Sequence, residues 1–257
     1  MKNIKYYSLI CFFIIFSCVP FNISAQETFE SVIERVKKSV VLLSTNPNVD
    51  PETNPKKTGL CSGVVVDDIG HVLTNFHCIY NQNYIRLYYY DENDWQNYEV
   101  NVIGLDPLGD LALIKVLGKE EPIPHLPFAK DAGKIKAGTD VFALGHPMGM
   151  AWTVTKGIVS STERFARHPF IKAIQTDSAI NKGNSGGPLM NMKGEIVGIN
   201  ALIVSKISEN AGIALSIRGD IAEKSFNSML INGRVDRPAV GIMIMQLSQG
   251  KQRAKII

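Results

Sequence analysis

Ser185 stands in Gly183-Asn184-Ser185-Gly186-Gly187-Pro188-Leu189, a serine set among glycines. Glycine reaches backbone conformations closed to other residues, so such a stretch turns tightly, exposes the hydroxyl and aims N–H groups at one point. A serine hydroxyl is a weak nucleophile at its ordinary pKa and needs a base. Of five histidines, His77 is the candidate, in Leu73-Thr74-Asn75-Phe76-His77-Cys78 at the end of a predicted strand. His71 sits beside a turn glycine and is expected to face solvent. His125 and His168 fall in proline-containing loops, and His146, in Gly145-His146-Pro147, follows a strand at a turn. Taken alone, His77 would read as an ordinary core histidine; the serine motif changes that.

The base needs a carboxylate to fix its tautomer and stabilise the imidazolium. Asp110 opens Asp110-Leu111-Ala112-Leu113-Ile114-Lys115, just after Pro107 and Gly109, where a carboxylate at a strand end can point inward. Asp106 and Asp177 compete, each with a plainer role as a turn or loop hydrogen-bonding residue. The chemistry is acyl transfer, with Ser185 as nucleophile, His77 as general base and Asp110 orienting it. The oxyanion hole falls on Gly183, Asn184 and Ser185, through the N–H groups of Gly183 and Ser185; such a donor is worth on the order of 10²- to 10³-fold in rate.

The elements that must hold these groups read as short strands broken by turns. Residues 60–66 and 71–75 flank Asp67-Asp68-Ile69-Gly70 as a hairpin. Further strands are expected at 39–45, 84–90, 98–105, 111–116, 140–144, 153–160, 171–175, 189–190, 196–201 and 213–217. Residues 27–38 carry Phe29, Val32, Ile33 and Val36 at helical spacing. Residues 46–58 hold three prolines and form a surface loop. Residues 119–127 contain Pro122, Pro124 and Pro127 and make a linker between two β lobes, at about 39–118 and 128–218. Asp220 is expected to cap a last helix through Asn232, with Ile221, Phe226, Met229 and Leu230 on its apolar side and Gly233 ending it. The pattern is all-β: antiparallel barrels or a sandwich.

Here the motifs become specific. Thr74-Asn75-Phe76-His77, the Asp110–Lys115 run, and Gln175-Thr176-Asp177-Ser178-Ala179-Ile180-Asn181 on through Leu189 resemble the HtrA (Deg) family of trypsin-like serine proteases. So do Gly145-His146-Pro147-Met148-Gly149 and Thr153-Val154-Thr155-Lys156-Gly157-Ile158-Val159-Ser160. The likeness spans about residues 29–232, within a protease domain placed at 26–234. It implies two perpendicular six-stranded antiparallel barrels with the active site between them, unfolded or damaged polypeptides as substrates, no cofactor, no metal, and homotrimers assembled through N-terminal residues. It also implies an S1 pocket with Ala179 and Ile180 before the serine, Asn200, Ala201 and Leu202 as one wall and Ala214 opposite. Ala179 stands where an acid would select Lys or Arg, so small aliphatic P1 residues are expected. The family usually lacks cysteines near the histidine, but Cys61 and Cys78 resemble the disulfide beside the catalytic histidine of chymotrypsin-like enzymes. Arg164 and Arg167 lie in a segment resembling the family's sensor loop, with solvated surface charge as the plainer role. Residues 235–257 begin like the entry to a PDZ domain and are too few to complete one, so they are expected to form a short basic tail.

The chain has 257 residues, 45% of them apolar and 20% charged, with a net charge of +3 that includes Lys2 and Lys5. That composition excludes disorder and a multi-span membrane protein, and nothing in it asks for nucleic acid. Lys2 and Lys5 precede an apolar run at 9–19, shorter than a comfortable bilayer span. With Ile23-Ser24-Ala25 before Gln26, residues 1–25 read as an export signal directing the chain to the periplasm or cell envelope, or out of the cell as a secreted protein. Lipidation at Cys18 or an uncleaved segment would instead tether it to the membrane. Cys11 and Cys18 fall within the signal, leaving Cys61 and Cys78 as a disulfide candidate or two unrelated thiols. Two other functional classes stand beside the protease: a catalytically silent protease-like chaperone or binding protein, and a metal hydrolase built on His71, His77 and Cys78.

Overall fold

The computed structural model describes residues 27–47, 60–91, 94–147, 152–165, 171–203, 212–237, 242–246 and 252–256. The expected export signal, the loop prolines Pro51 and Pro55, Arg167 and His168 lie outside the described residues.

Runs rich in Val, Ile and Leu, bounded by turn residues, pair as antiparallel strands because branched side chains pack well on a pleated surface. Strands β1 (Val40–Ser44), β2 (Leu60–Val65), β3 (His71–Thr74), β4 (Arg86–Asp91), β5 (Asp94–Asp106) and β6 (Leu111–Val116) close into one barrel, ordered β1-β2-β3-β6-β5-β4. Strands β7 (Asp140–Gly145), β8 (Thr153–Phe165), β9 (Lys172–Thr176), β10 (Pro188–Asn191), β11 (Ile196–Ile203) and β12 (Ala214–Arg218) close into a second. Counted from its own first strand, the second barrel repeats the order of the first. The expected all-β fold of two six-stranded antiparallel barrels is the observed one, and closure leaves neither sheet with a free edge.

Two strands run longer than their hydrophobic pattern suggests. β5 and β8 each span 13 residues. Each bends through register shifts, at Val102/Gly104 in β5 and at Val159/Ser161 and Ser161/Arg164 in β8. Such bulges interrupt the alternation that sequence reading relies on.

One apolar cluster fills the seam between the barrels. It joins Val40, Val64, Leu73 and Leu111 from the first to Phe142, Leu144, Met190 and Ile199 from the second. Helix α1 (Phe29–Val36) adds Val32 and Val36 to it, with Thr28 as N-cap accepting the Ser31 N–H. The linker is strapped to both barrels: Leu126 N–H donates to Val65 O at 3.0 Å and Ile196 N–H to Pro127 O at 2.8 Å. The two barrels therefore hold a fixed relation, which a site shared between them requires.

Helix α2 is the short Phe76–Ile79, and α3 is Gly219–Asn232. Gly233 ends α3 at φ 70°, its N–H donating to Met229 O. Two details of α3 differ from expectation. Arg218 occupies the cap position, and Asp220 in the first turn pairs with it. Leu230 is 41% exposed, while Ala222, Ser225 and Met229 form the buried face. Met229 packs on Gly104, where a β-carbon would come within 2.6 Å of it. Beyond α3, Leu105 N–H donates to Gly233 O, and Arg237 forms a two-pronged ion pair with the fully buried Asp106. Asp106 also accepts from Gly109 N–H and the Ser225 hydroxyl, so it ties α3 and the chain after it to the turn that ends in Asp110. In the stretch expected to be a tail, β13 (Ile242–Gln246) and β14 (Gln252–Ile256) pair as an antiparallel ribbon. Among the described residues no helix is long and apolar enough to cross a membrane.

Breaking a buried ion pair by removing one partner strands the other charge, at a cost of about 3–5 kcal/mol. Arg237→Met is expected to lower stability to urea by that amount. Arg164→Met, which removes an exposed side chain bonded only to Gln175 among the described residues, should change it little. Equilibrium unfolding of both variants checks this.

Candidate active site

The first barrel carries His77 and Asp110, the expected base and its partner. His77 lies on α2, one turn past β3, rather than at the strand end itself. Asn75 stands between β3 and α2, at the cap of the helix, and its amide NH₂ donates to the Asp110 carbonyl at 2.9 Å. That bond joins the β3–α2 corner to the β5–β6 turn. Asp110 sits at φ 53°, a left-handed conformation that Asp tolerates better than most residues. Its carboxylate accepts the His77 backbone N–H at 3.0 Å and faces His77 Nδ1 at 2.8 Å through Oδ2. With Nδ1 as the protonated nitrogen, Nε2 is left free to accept a proton. Asp177, the rival carboxylate, instead accepts the Ile158 N–H.

The second barrel supplies the serine. Its loop between β9 and β10 turns at Gly183 and Gly186, both at positive φ. Three amides are engaged: Asn184 N–H donates to Asn181 O, Gly186 N–H to Asn200 O and Gly187 N–H to Asn184 O. Among the described residues the N–H groups of Gly183 and Ser185 donate to no protein acceptor. The loop thus consumes the amides around Ser185 and leaves the two expected oxyanion donors open.

The two halves meet at Ser62, beside a disulfide of the first barrel. Ser62 N–H donates to Ser185 O at 2.8 Å. Cys61 and Cys78 are bonded, linking β2 to α2 across 17 residues, as the resemblance implied. Cys78 Sγ lies 4.0 Å from Ser185 O. The ligand-type atoms of Cys61, His77 and Cys78 fall within 4.8 Å of one another. That grouping offers no thiolate, because both sulfurs are consumed in the disulfide, and His77 Nδ1 faces Asp110. His71 is not part of the grouping. It was expected in solvent but is 7% exposed, its Nδ1 paired with Asp67 Oδ2 at 2.6 Å, because the hairpin turn places Asp67 against it.

The segment before the serine is braced on β8. The Thr155 hydroxyl donates to Ala179 O at 2.9 Å, and the Ser178 hydroxyl to Thr155 O at 2.9 Å. Of the residues assigned to the pocket, Ala179 is half-buried, while Ile180 and Ala214 sit in the core of the second barrel. Asn200 is sealed inside, donating to Pro188 O and accepting from the Ser216 hydroxyl. Ala201 is nearly buried, and Leu202 lies opposite Leu215 past a bulge. Ile180, Asn200 and Ala214 therefore shape this region from behind and not by side-chain exposure.

Sequence reading missed three contributors: Asn75, Ser62 and the surroundings of His146. His146 is fully buried, with Trp95 and Trp152 ring centroids 5.7 and 6.2 Å away. Burial lowers its pKa to about 4, and the backbone of Val40 opposes this only in part. Neither ring nitrogen makes a hydrogen bond of ordinary geometry. A signal was present: a histidine between glycine and proline at a strand end, with tryptophans elsewhere that need cover.

A family pattern described as the trypsin-like peptidase domain matches residues 61–199. The chain is 38% identical over 205 residues to a probable periplasmic serine endoprotease, DegP-like, of Pseudomonas putida (strain GB-1), covering 79% of this chain and 41% of that protein. It is 35% identical over 188 residues to one of Chlamydia trachomatis serovar D, covering 72% and 37%. The chain thus spans about two fifths of the length of these curated relatives. Among solved structures, the HtrA-type protease AlgW with tripeptide aligns at TM-score 0.73 and 30% identity, over 86% of this chain and 70% of that one. AlgW with decapeptide aligns at TM-score 0.73 and 29% identity, over 86% and 73%.

His146 sets a pH dependence. Its ring stays neutral in the folded chain down to about pH 4, whereas the unfolded chain binds a proton near pH 6.5. Between those values the unfolded state holds more protons, so stability falls as pH falls, by about 3 kcal/mol across the window. Urea unfolding of wild type and His146→Asn at pH 7.5 and 4.5 should show the smaller acid loss in the variant.

Proposed function

Since the chain belongs to the HtrA-type branch of the trypsin-like peptidase family, we propose that it is an exported serine endopeptidase acting on unfolded or damaged polypeptides in the periplasm or cell envelope. The observation that carries this is the pairing of His77 with Asp110 beside the Ser185 loop, whose Gly183 and Ser185 N–H groups donate to no acceptor among the described residues. Catalysis proceeds in two halves. Ser185 Oγ attacks the scissile carbonyl carbon while His77 Nε2 takes its proton, and the carbonyl oxygen becomes an oxyanion received by the two N–H groups. The adduct collapses, the C–N bond breaks, and His77 returns the proton to the leaving amine. Water then repeats the sequence on the Ser185 ester and releases the acid. Asp110 keeps its charge throughout, holding the imidazole tautomer and stabilising the imidazolium.

The exported location follows the relatives named as periplasmic and the basic-then-apolar start of this chain. Polypeptide substrates follow the solved neighbours with tripeptide and decapeptide. Trimeric assembly belongs to the proposal only through the resemblance, and a membrane tether only through Cys18 and the apolar run at 9–19.

Specificity rests on the region below Ser185. Ala179 carries no charge to select Lys or Arg, and Ala214 is a methyl-bearing residue in a tightly packed wall. A narrow apolar pocket favours Val, Ala or Ile at P1. Each methylene that fits or fails to fit there is worth about 1–3 kcal/mol.

Two outcomes are expected. Casein hydrolysis by the wild type should survive a chelator and fall by at least ~10³-fold in Ser185→Ala; inactivity in both proteins would favour a binding role, and chelator sensitivity a metal. In a peptide library, cleavage should concentrate after Val, Ala and Ile; dominance of Arg, Phe or Glu at P1 would reject the pocket assignment.

A further inference from the structure

Three backbone planes build the proposed oxyanion hole. The 182–183 peptide carries the Gly183 N–H and the 184–185 peptide carries the Ser185 N–H. Between them lies the 183–184 peptide, and its orientation fixes how the outer two point. Gly183 has φ 107° and no side chain to lock it. Something else must hold the middle plane.

One end of that plane is held within the loop, where Asn184 N–H donates to Asn181 O at 3.0 Å. The other end is held from the first barrel, where the buried Ser62 hydroxyl donates to Gly183 O at 2.8 Å. The same hydroxyl accepts the His146 backbone N–H at 3.0 Å, so both its donor and acceptor directions are committed. The backbone of Ser62 is committed as well. Its N–H donates to Ser185 O at 2.8 Å, and its carbonyl accepts the Thr74 hydroxyl at 2.8 Å, three residues before His77. The loop is glycine-rich partly to admit this residue. A β-carbon on Gly186 would come within 2.2 Å of Ser62 O, one on Gly187 within 3.1 Å of Ser62 Cβ, and one on Gly145 within 2.9 Å of Ser62 Oγ.

We propose that Ser62 is a positioning residue for the reaction, its hydroxyl holding the Gly183–Asn184 peptide plane so that the flanking Gly183 and Ser185 N–H groups converge on the oxyanion. It touches neither substrate nor nucleophile hydroxyl, and acts through the loop. The inference rests on the enzymatic function above. Without the hydroxyl, the buried Gly183 carbonyl and His146 N–H both lose their partner. An unpaired buried carbonyl is unfavourable, and the glycine is free to rotate it away. The loss falls on the transition state, where charge sits on the oxygen, more than on bound substrate.

The test uses the full chain with a peptide substrate carrying Val at P1, a peptidyl trifluoromethyl ketone of the same sequence, and the corresponding product acid. The ketone forms an oxyanionic adduct with the serine; the product acid only occupies the binding cleft. Ser62→Ala is expected to lower kcat on the order of 10²-fold with KM nearly unchanged. Its ketone Ki should weaken in proportion to kcat/KM while the product Ki holds. A folded Ser62→Ala with wild-type kcat overturns the inference, and so does equal weakening of ketone and product. Should Ser62→Ala not fold, Ser62→Cys keeps the volume with a much weaker donor and must show the same split. A wild type that neither hydrolyses the peptide nor reacts with a fluorophosphonate removes the enzymatic function and this inference together; an active wild type matched by its variant removes this inference alone.

Discussion

Among the described residues one main-chain hydrogen bond, from Ser62 N–H on β2 to Ser185 O, joins the barrel that carries His77 and Asp110 to the loop that carries Ser185. Neither barrel contains a site by itself. His77 and Asp110 are fixed within the first by Asn75, and Ser185 is fixed within the second by Asn181, Asn200 and Gly187. Their relative placement depends on the seam, and the seam is tight because the residues there are small. Gly145, Gly186 and Gly187 leave no space that a β-carbon could fill without collision. A polar junction so packed is also buried, which makes its hydrogen bonds hard to give up.

Around this junction the fold uses two kinds of restraint. Apolar packing from Val40, Leu73, Phe142, Met190 and their neighbours holds the barrels together without direction. Directional restraints then set the angles. The Cys61–Cys78 bond ties α2 back to β2, and the Asp106–Arg237 pair ties the turn before Asp110 to the chain beyond α3. A site that needs groups within a fraction of an ångström uses both, because packing alone tolerates small slips.

His146 shows what the seam costs. The strand end that supplies a backbone N–H to Ser62 brings an imidazole into an enclosed space beside Trp95 and Trp152, where it stays neutral. Its side chain and its backbone thus do different things. The backbone holds the Ser62 hydroxyl that reaches Gly183; the ring fills volume and makes the folded state sensitive to acid.

Much of this was legible from residue types alone. Ser185 among glycines, His77 in its motif and Asp110 before an apolar strand are local signals, and the alternating strands with turn residues announced two β lobes. Local signals failed where a neighbour distant in sequence decides the outcome. His71 is buried because a hairpin brings Asp67 onto its ring, Leu230 is exposed because Met229 takes the place against Gly104, and bulges carry β5 and β8 past the end of their hydrophobic alternation. Ser62 gave no sign at all. It is one serine in a strand, and its partners Gly183 and His146 lie 121 and 84 residues away. The sequence by itself determined which groups are proposed to carry the chemistry, because chemistry resides in residue type. Only the tertiary structure decided what holds them at the correct distance, because that work is done by contacts between two barrels that no spacing along the chain encodes.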